Sequence, residues 1–291
     1  MNDQQLVSVI IPCFNSGLTL ERTVNSVINQ DWINKEIIVI DDGSTDTYTI
    51  NQILKIKEYP KVKIITQANK GLANARNCGI REANGIYIIP LDSDDWLQPN
   101  AISLMMSVYK AFEGETVIYP DIKLNGEIDK IKITFCNLFE QLFSNQLPYC
   151  MFFPKIIFDR YGGYDENLKK GLEDWDFNIK LISKKLRFVK LNEPVFNYSV
   201  SNSGMLKSQT MKSYATIWQY ITRKYPSNYT PVQLYNTYRE NKETPSNRPL
   251  QIYIIYFLLS KFTPQKLLNF VIQCLYQSHT FLSYRNKSKN V

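Results

Sequence analysis

Two stretches decide the reading of the chain: Leu6-Val-Ser-Val-Ile-Ile11, which runs into Pro12-Cys-Phe-Asn15, and Glu36-Ile-Ile-Val-Ile-Asp41, which runs into Asp42-Gly-Ser-Thr-Asp46. Each is a short, β-branched, apolar run that ends in polar turn chemistry, the pattern of a strand buried on both faces. Between them Leu20, Val24, Val27 and Ile28 keep the spacing of one apolar helix face. Outward along the chain the alternation continues. A helix through Ile50, Ile53 and Leu54 precedes a strand at Val62–Thr66, then a helix over Gly71–Ala83 and a strand at Ile86–Leu91. Strand and helix alternating at this spacing predict an α/β fold with a mostly parallel central sheet flanked by helices. Ligands of such sheets bind beyond the carboxyl ends of the strands.

The residues there are Pro12-Cys-Phe-Asn15, Asp41-Asp-Gly-Ser-Thr-Asp46, Gln67-Ala-Asn-Lys-Gly71 and Asp92-Ser-Asp-Asp95. Any one of these loops reads well as a helix cap, since Asp and Asn satisfy free backbone N–H groups. Two strands that deliver Asp41/Asp42 and Asp92/Asp94/Asp95 to one rim ask for more. Clustered carboxylates repel unless a cation or donor groups neutralise them, and a hard divalent ion with oxygen ligands does so. In Asp92-Ser93-Asp94 the carboxylates flank one small residue, so an extended segment would point both to one side.

Composition sets the limits. The chain has 291 residues, 44% hydrophobic and 21% charged, which is globular and excludes disorder and coiled coil. Its five scattered cysteines form no Cys-x-x-Cys pair, against a disulfide scaffold or zinc ribbon and for a reducing compartment. The single histidine, His279, argues against a histidine-based triad or zinc enzyme. The polar opening Met1–Gln5 does not have the pattern expected of a signal peptide, and the longest uncharged apolar run, Ile252–Leu259, is far short of the ~20 residues a membrane span needs. Cytoplasmic localisation is the expectation. The formal charge of +7 is uneven: residues 1–204 carry 22 basic and 25 acidic side chains, and 205–291 carry 12 and 2. The division expected is 1–204 as the α/β domain that carries the site and 205–291 as a basic, aromatic-rich helical extension.

In the middle, Pro99 opens a helix through Leu104, Val108 and Ala111, Thr116–Tyr119 is a strand, and the less periodic Gly114–Pro148 is a long excursion. Glu173–Lys185 is a largely enclosed helix, followed by a strand at Arg187–Leu191. In the tail, apolar stripes at 252–259 and 267–274 sit either side of Thr263-Pro264. They suit a helical cover or a protomer contact, and the excess cations suit an anionic membrane surface.

Five motifs in order, Val7-Ser-Val-Ile-Ile-Pro-Cys-Phe-Asn15, Asp41-Asp-Gly-Ser-Thr-Asp46, Asn69-Lys-Gly-Leu-Ala-Asn-Ala-Arg-Asn77, Leu91-Asp-Ser-Asp-Asp95 and Gly171-Leu-Glu-Asp-Trp175, resemble the family 2 glycosyltransferases. The resemblance covers about Leu6–Val200. It implies a GT-A, Rossmann-like domain and inverting transfer from a nucleotide sugar, UDP-linked by family habit. The acceptor would be a glycan or a lipid-linked oligosaccharide in cell-surface polysaccharide synthesis. It also implies a donor site of Pro12, Phe14, Asn15, Asp41, Asp42, Arg76, Asp92 and Ser93. Phe14 would stack on the base, Asp41 and Asp42 would accept from a uracil N–H, and Arg76 would meet the diphosphate through its planar fork. Asp94 would be the direct ligand of Mn²⁺ or Mg²⁺, with Asp92 beside it as a metal or ribose contact, and the role of Asp95 stays open. Inversion needs a base for the acceptor hydroxyl. Asp174 alone reads equally as a helix cap, but the resemblance makes it the base, with Glu173 as acceptor contact or orienting partner.

The chain departs from the family at Tyr198-Ser-Val-Ser-Asn-Ser203, where many members carry a histidine or other polar group that completes the metal site or touches the phosphate. The competing reading is a non-catalytic nucleotide-sugar or glycan-binding protein of the same fold. The retained carboxylates argue against it. A nucleotidyltransferase would need a Gly-rich phosphate loop after the first strand, and the dispersed tail cations do not suit nucleic acid.

Overall fold

The computed structural model describes residues 5–200, 211–244 and Tyr253. The stripes at 252–259 and 267–274 (Tyr253 apart), His279 and the cations beyond it lie outside the described residues. The described chain divides into two compact units. The larger is drawn from Met1–Cys136, Gln146–Lys169 and Glu173–Asn202, the smaller from Asn137–Asn145, Lys170–Leu172 and Ser203–Val291.

The larger unit is built on the expected alternation: β1 (Val7–Cys13), α1 (Gly17–Ile28), β2 (Lys35–Asp41), α2 (Thr47–Ile56), β3 (Val62–Thr66), α3 (Leu72–Arg81) and β4 (Tyr87–Pro90). The strands lie in the order β3-β2-β1-β4, all parallel. After β5 (Trp96–Leu97), α4 (Ala101–Phe112), β6 (Thr116–Gly126) and β7 (Lys130–Lys132), the short β8 (Phe153–Pro154) pairs antiparallel to β4 and closes the edge. The helices α6 (Lys155–Tyr161) and α7 (Glu173–Ser183) and the long strand β9 (Arg187–Val200) complete this unit.

Every residue of β1 is buried, and its alternate side chains feed two cores. Val7, Val9 and Ile11 face α1 and α4, packing with Leu20, Val24, Ile102 and Met105. Ile10 faces the other way, with Ile38 and Ile40, toward Ala75 and Ile80 of α3 and Phe177 and Leu181 of α7. This two-sided burial is what the continuous apolar strands required. Gly79 lets α3 lie flush on the sheet: a Cβ there would come within 2.3 Å of Ile10 Cγ2 and 2.6 Å of Ile40 Cδ1.

The second sheet was not foreseen. It has the order β5-β9-β6-β7. The segments read as short strands at 116–119 and 187–191 are the starts of β6 and β9, which pair in parallel with one irregularity between Pro120 and Ile122. The fold is thus α/β with mixed sheets. In the smaller unit, α5 (Leu138–Gln141) comes from the excursion the sequence left without periodicity. It accompanies α8 (Met211–Lys224), a 3₁₀ turn at Pro226–Tyr229 and α9 (Pro231–Glu240). Trp218 Nε1 and Tyr229 Oη both donate to the carbonyl of Leu142, at 3.0 and 2.8 Å.

Candidate functional site

The carboxyl ends of β1, β2 and β4 meet in the larger unit, stitched by loop side chains. Pro12, expected in the loop, is inside β1 and pairs with Ile40. The strand runs two residues beyond the expected end at Ile11, with Cys13 paired to Asp41 of β2. Phe14 follows it and is 48% exposed. Asn15 takes a left-handed conformation, φ 50°, one that Asn tolerates better than most side chains. Its Oδ1 accepts from the N–H groups of Thr45 (2.8 Å) and Asp46 (3.2 Å), locking the loop after β1 to the loop after β2. Ser16 Oγ and Ser93 Oγ, 2.7 Å apart, link the same loop to the turn after β4.

Asp41 ends β2 and accepts from the Ser44 N–H at 2.9 Å. Asp42 is buried. Its carboxylate accepts from Gln67 Nε2 (2.7 Å) and from the N–H groups of Lys70 (2.9 Å) and Gly71 (2.8 Å). It anchors the segment that leads into α3, and three of its roughly four acceptor positions are taken.

The Asp92–Asp95 segment is a turn, where an extended segment was expected. The Asp95 N–H donates to the Asp92 carbonyl at 3.1 Å, so the carboxylates diverge. Asp92 turns toward Arg76. Asp95 turns inward and is 1% exposed, accepting from Tyr149 Oη and from the Ser199 N–H at 2.7 Å. Burial, and then Asp94 and Asp92, push its carboxyl well up. Asp94 is accessible yet recessed among protein. Burial and the neighbouring Asp92 raise it to about 6, against a smaller pull from Arg22. Among the described residues no side chain hydrogen-bonds its carboxylate.

Arg76, from α3, lies at the centre with 1% exposure. Nη2 donates to Asp92 Oδ1 at 2.6 Å and Nη1 to Glu173 Oε1 at 2.5 Å. Nε has no hydrogen-bond partner among the described residues. The guanidinium lies 4.9 Å from the Tyr149 ring centroid and 5.4 Å from that of Tyr164. Burial alone would weaken its hold on the proton, but Asp92 and Glu173 outweigh it and raise Arg76 well above the usual range. Glu173 is pushed up by burial and by Asp174, against the downward pull of Arg76.

Glu173 and Asp174 open α7 after two positive-φ residues, Gly171 (94°) and Leu172 (64°). For a leucine that conformation costs energy. Asp174 Oδ1 accepts from the Trp175 N–H at 2.8 Å. Tyr198 is raised mainly by burial, and further by Asp95, Asp92, Asp94 and Asp174. Arg22, Tyr149 and Tyr164 carried no signal in the sequence, since each is a lone side chain outside the spaced motifs. Tyr198 and Ser199 fall in the stretch where the chain departs from the family.

The Glycosyl transferase family 2 profile matches residues 8–159, more than half the chain. The chain belongs to that family. The chain is 30% identical over 234 residues to the UDP-Glc:alpha-D-GlcNAc-diphosphoundecaprenol beta-1,3-glucosyltransferase WfaP of Escherichia coli, covering 73% of this chain and 90% of that protein. It spans 11 to 28% of the length of other, longer curated relatives, chondroitin and hyaluronan synthases among them. Its fold recurs in solved structures. Staphylococcus aureus TarS (residues 1–349, in complex with UDP-GlcNAc) superposes with a TM-score of 0.65 at 16% identity, over 94% of this chain and 91% of that one. The mannosyltransferase PcManGT of Pyrobaculum calidifontis, in complex with GDP-Man and Mn²⁺, gives 0.61 at 16% identity, over 96% and 87%. The fold is therefore GT-A, as the resemblance implied. The profile match ends within α6, so Glu173 and Asp174 rest on geometry and on the order of the motifs.

Proposed function

We propose that this chain transfers a sugar, with inversion, from a UDP-linked donor to a hydroxyl of a glycan or lipid-linked acceptor in surface polysaccharide synthesis. The observation that carries this reading is the Arg76 guanidinium, held between Asp92 on the donor side and Glu173 on the acceptor side. One buried cation thereby fixes the distance between the turn that meets a diphosphate and the helix start that offers a base.

In this reading Phe14 lies against the nucleotide base, and Asp42 keeps the loop before α3 in place beside it. Asp174 takes the proton from the acceptor hydroxyl as its oxygen bonds the anomeric carbon, and the bond to the diphosphate breaks. Glu173, fixed by Arg76, orients Asp174 or the acceptor. The donor set suits a hard divalent ion: carboxylate oxygens only, with the Asp94 carboxylate bonded by no side chain among the described residues. No group of three His, Cys, Asp or Glu suited to a metal occurs among the described residues, so diphosphate oxygens and water would complete the shell. Mn²⁺ or Mg²⁺ held by Asp94 and Asp92 would offset the charge growing on the departing diphosphate.

A thermal-shift panel of nucleotide sugars with and without Mn²⁺ tests the donor reading. A UDP-sugar with Mn²⁺ is expected to raise the Tm, since a ligand of the native state stabilises it. Asp94→Asn should remove the Mn²⁺-dependent part. Because the Asp94 carboxyl sits at about 6, protons compete with the cation below that value. The Mn²⁺-dependent shift should be full at pH 7.5 and reduced at pH 5.5. A shift independent of metal, pH and Asp94 would refute the assignment.

No helix among the described residues is long and apolar enough to cross a membrane. The cationic 205–291 segment would dock on anionic lipid at the cytoplasmic face, next to a lipid-linked acceptor. Vesicle flotation should recover the full chain with phosphatidylserine vesicles and not with neutral ones, and equal recovery would remove the membrane from the proposal.

A further inference from the structure

Arg22 of α1 ties together three elements of this site. Its Nη2 donates to the Asp94 carbonyl at 2.6 Å and to Ser199 Oγ at 3.2 Å, and its guanidinium carbon lies 3.9 Å from the Trp96 ring centroid. Ser199, from β9, donates its hydroxyl to the same Asp94 carbonyl and its N–H to Asp95. The side chain of Arg22 is exposed, and among the described residues Nε and Nη1 donate to nothing. A planar cation laid on an indole has its orientation fixed before any ligand arrives.

Charge balance gives this placement a purpose. The site gathers Asp92, Asp94, Asp95, Glu173 and Asp174, and an incoming diphosphate adds more negative charge. Arg76 cannot meet it freely, because both terminal nitrogens of its guanidinium are bound to carboxylates. Arg22 touches the same turn from the solvent side with donors to spare. Bracing a carbonyl takes one N–H, and the stacked fork leaves an edge suited to phosphate oxygens.

We propose that Arg22 binds phosphate oxygens of the donor's nucleoside diphosphate, beside the carboxylate of Asp94. This rests on the nucleotide-sugar reading above, and the test separates the two. The full chain is titrated calorimetrically with UDP, GDP and uridine, in Mn²⁺ and again in EDTA, for wild type, Arg22→Gln and Arg22→Lys. Arg22→Gln is expected to weaken UDP about tenfold, the worth of one charge-assisted contact, with uridine unchanged and Arg22→Lys intermediate. The loss should persist in EDTA, where a residue acting only through Asp94 and its cation would show no effect. Equal weakening of uridine and UDP, or a loss confined to Mn²⁺, would reduce Arg22 to a brace for the turn and overturn the proposal, as would an unchanged affinity for UDP. If wild type binds neither UDP nor GDP, the donor reading fails and this inference falls with it. An unchanged circular dichroism melt for Arg22→Gln checks that the comparison is between folded chains.

Discussion

Asp174→Asn is expected to lower the rate of sugar transfer at least 10²- to 10⁴-fold, the worth of a positioned general base, while donor affinity stays near that of wild type. The substitution is nearly isosteric. The amide oxygen can still accept from the Trp175 N–H, the contact Asp174 Oδ1 makes now, so the start of α7 need not unravel. The ion pair of Glu173 with Arg76 is untouched. What disappears is the only basic lone pair at that position. The loss should therefore fall on kcat, with the KM for donor little changed, and it should be the same at saturating acceptor. Single-turnover assays with a radiolabelled UDP-sugar read this directly. If Asp174 is only a helix cap, the variant will instead lose Tm and keep its rate per folded molecule. That result would move the search for a base to Glu173.

The strand ends were legible in the sequence because period and turn chemistry agree there. β2, β3 and β4 fall within one residue of their expected bounds, since continuous β-branched runs have no other stable home. The motif residues were legible for the same reason: they directly follow those strands. The direction each carboxylate takes was not. Asp92, Asp94 and Asp95 read as one cluster, yet a single turn sends them to a buried guanidinium, to the surface and to a buried tyrosine. Alternation rules assume an extended backbone, and one hydrogen bond from Asp95 to Asp92 cancels them. The second sheet was hidden because β6 and β9 meet across about 70 residues, and pairing at that distance leaves no local period. Arg76 was read from its motif as a ligand of phosphate; no pattern in the chain signals that two carboxylates from α7 and the β4 turn would claim it first.

That claim leads to the largest stability effect. Arg76→Met is expected to destabilise the fold by about 3–5 kcal/mol, the cost of stripping the partner from buried charge. Methionine fills much of the volume between Tyr149 and Tyr164, so the loss is electrostatic more than steric. The burden falls on Glu173, which is buried; Asp92 is a quarter exposed in its side chain and can be solvated in part. The pH dependence follows from the sign of the Glu173 shift. Burial already holds its carboxyl above the usual carboxylate range against Arg76, and without the guanidinium it must rise further. A group whose native value exceeds its unfolded one gives its stability at low pH and loses it as pH climbs through the native value. The gap between Arg76→Met and wild type should then be widest near pH 8 and narrow toward pH 6, as Glu173 takes up a proton and no longer needs a cation. Urea denaturation across that range measures it. The double variant Arg76→Met/Glu173→Gln supplies the neutral side chain permanently and should recover part of the loss at pH 8, with a coupling well above the 0.3–0.5 kcal/mol scatter of independent sites. Additive losses, flat with pH, would mean that Arg76 acts through its packing between the two tyrosines, and the ionic link between the donor and acceptor sides would have to be abandoned.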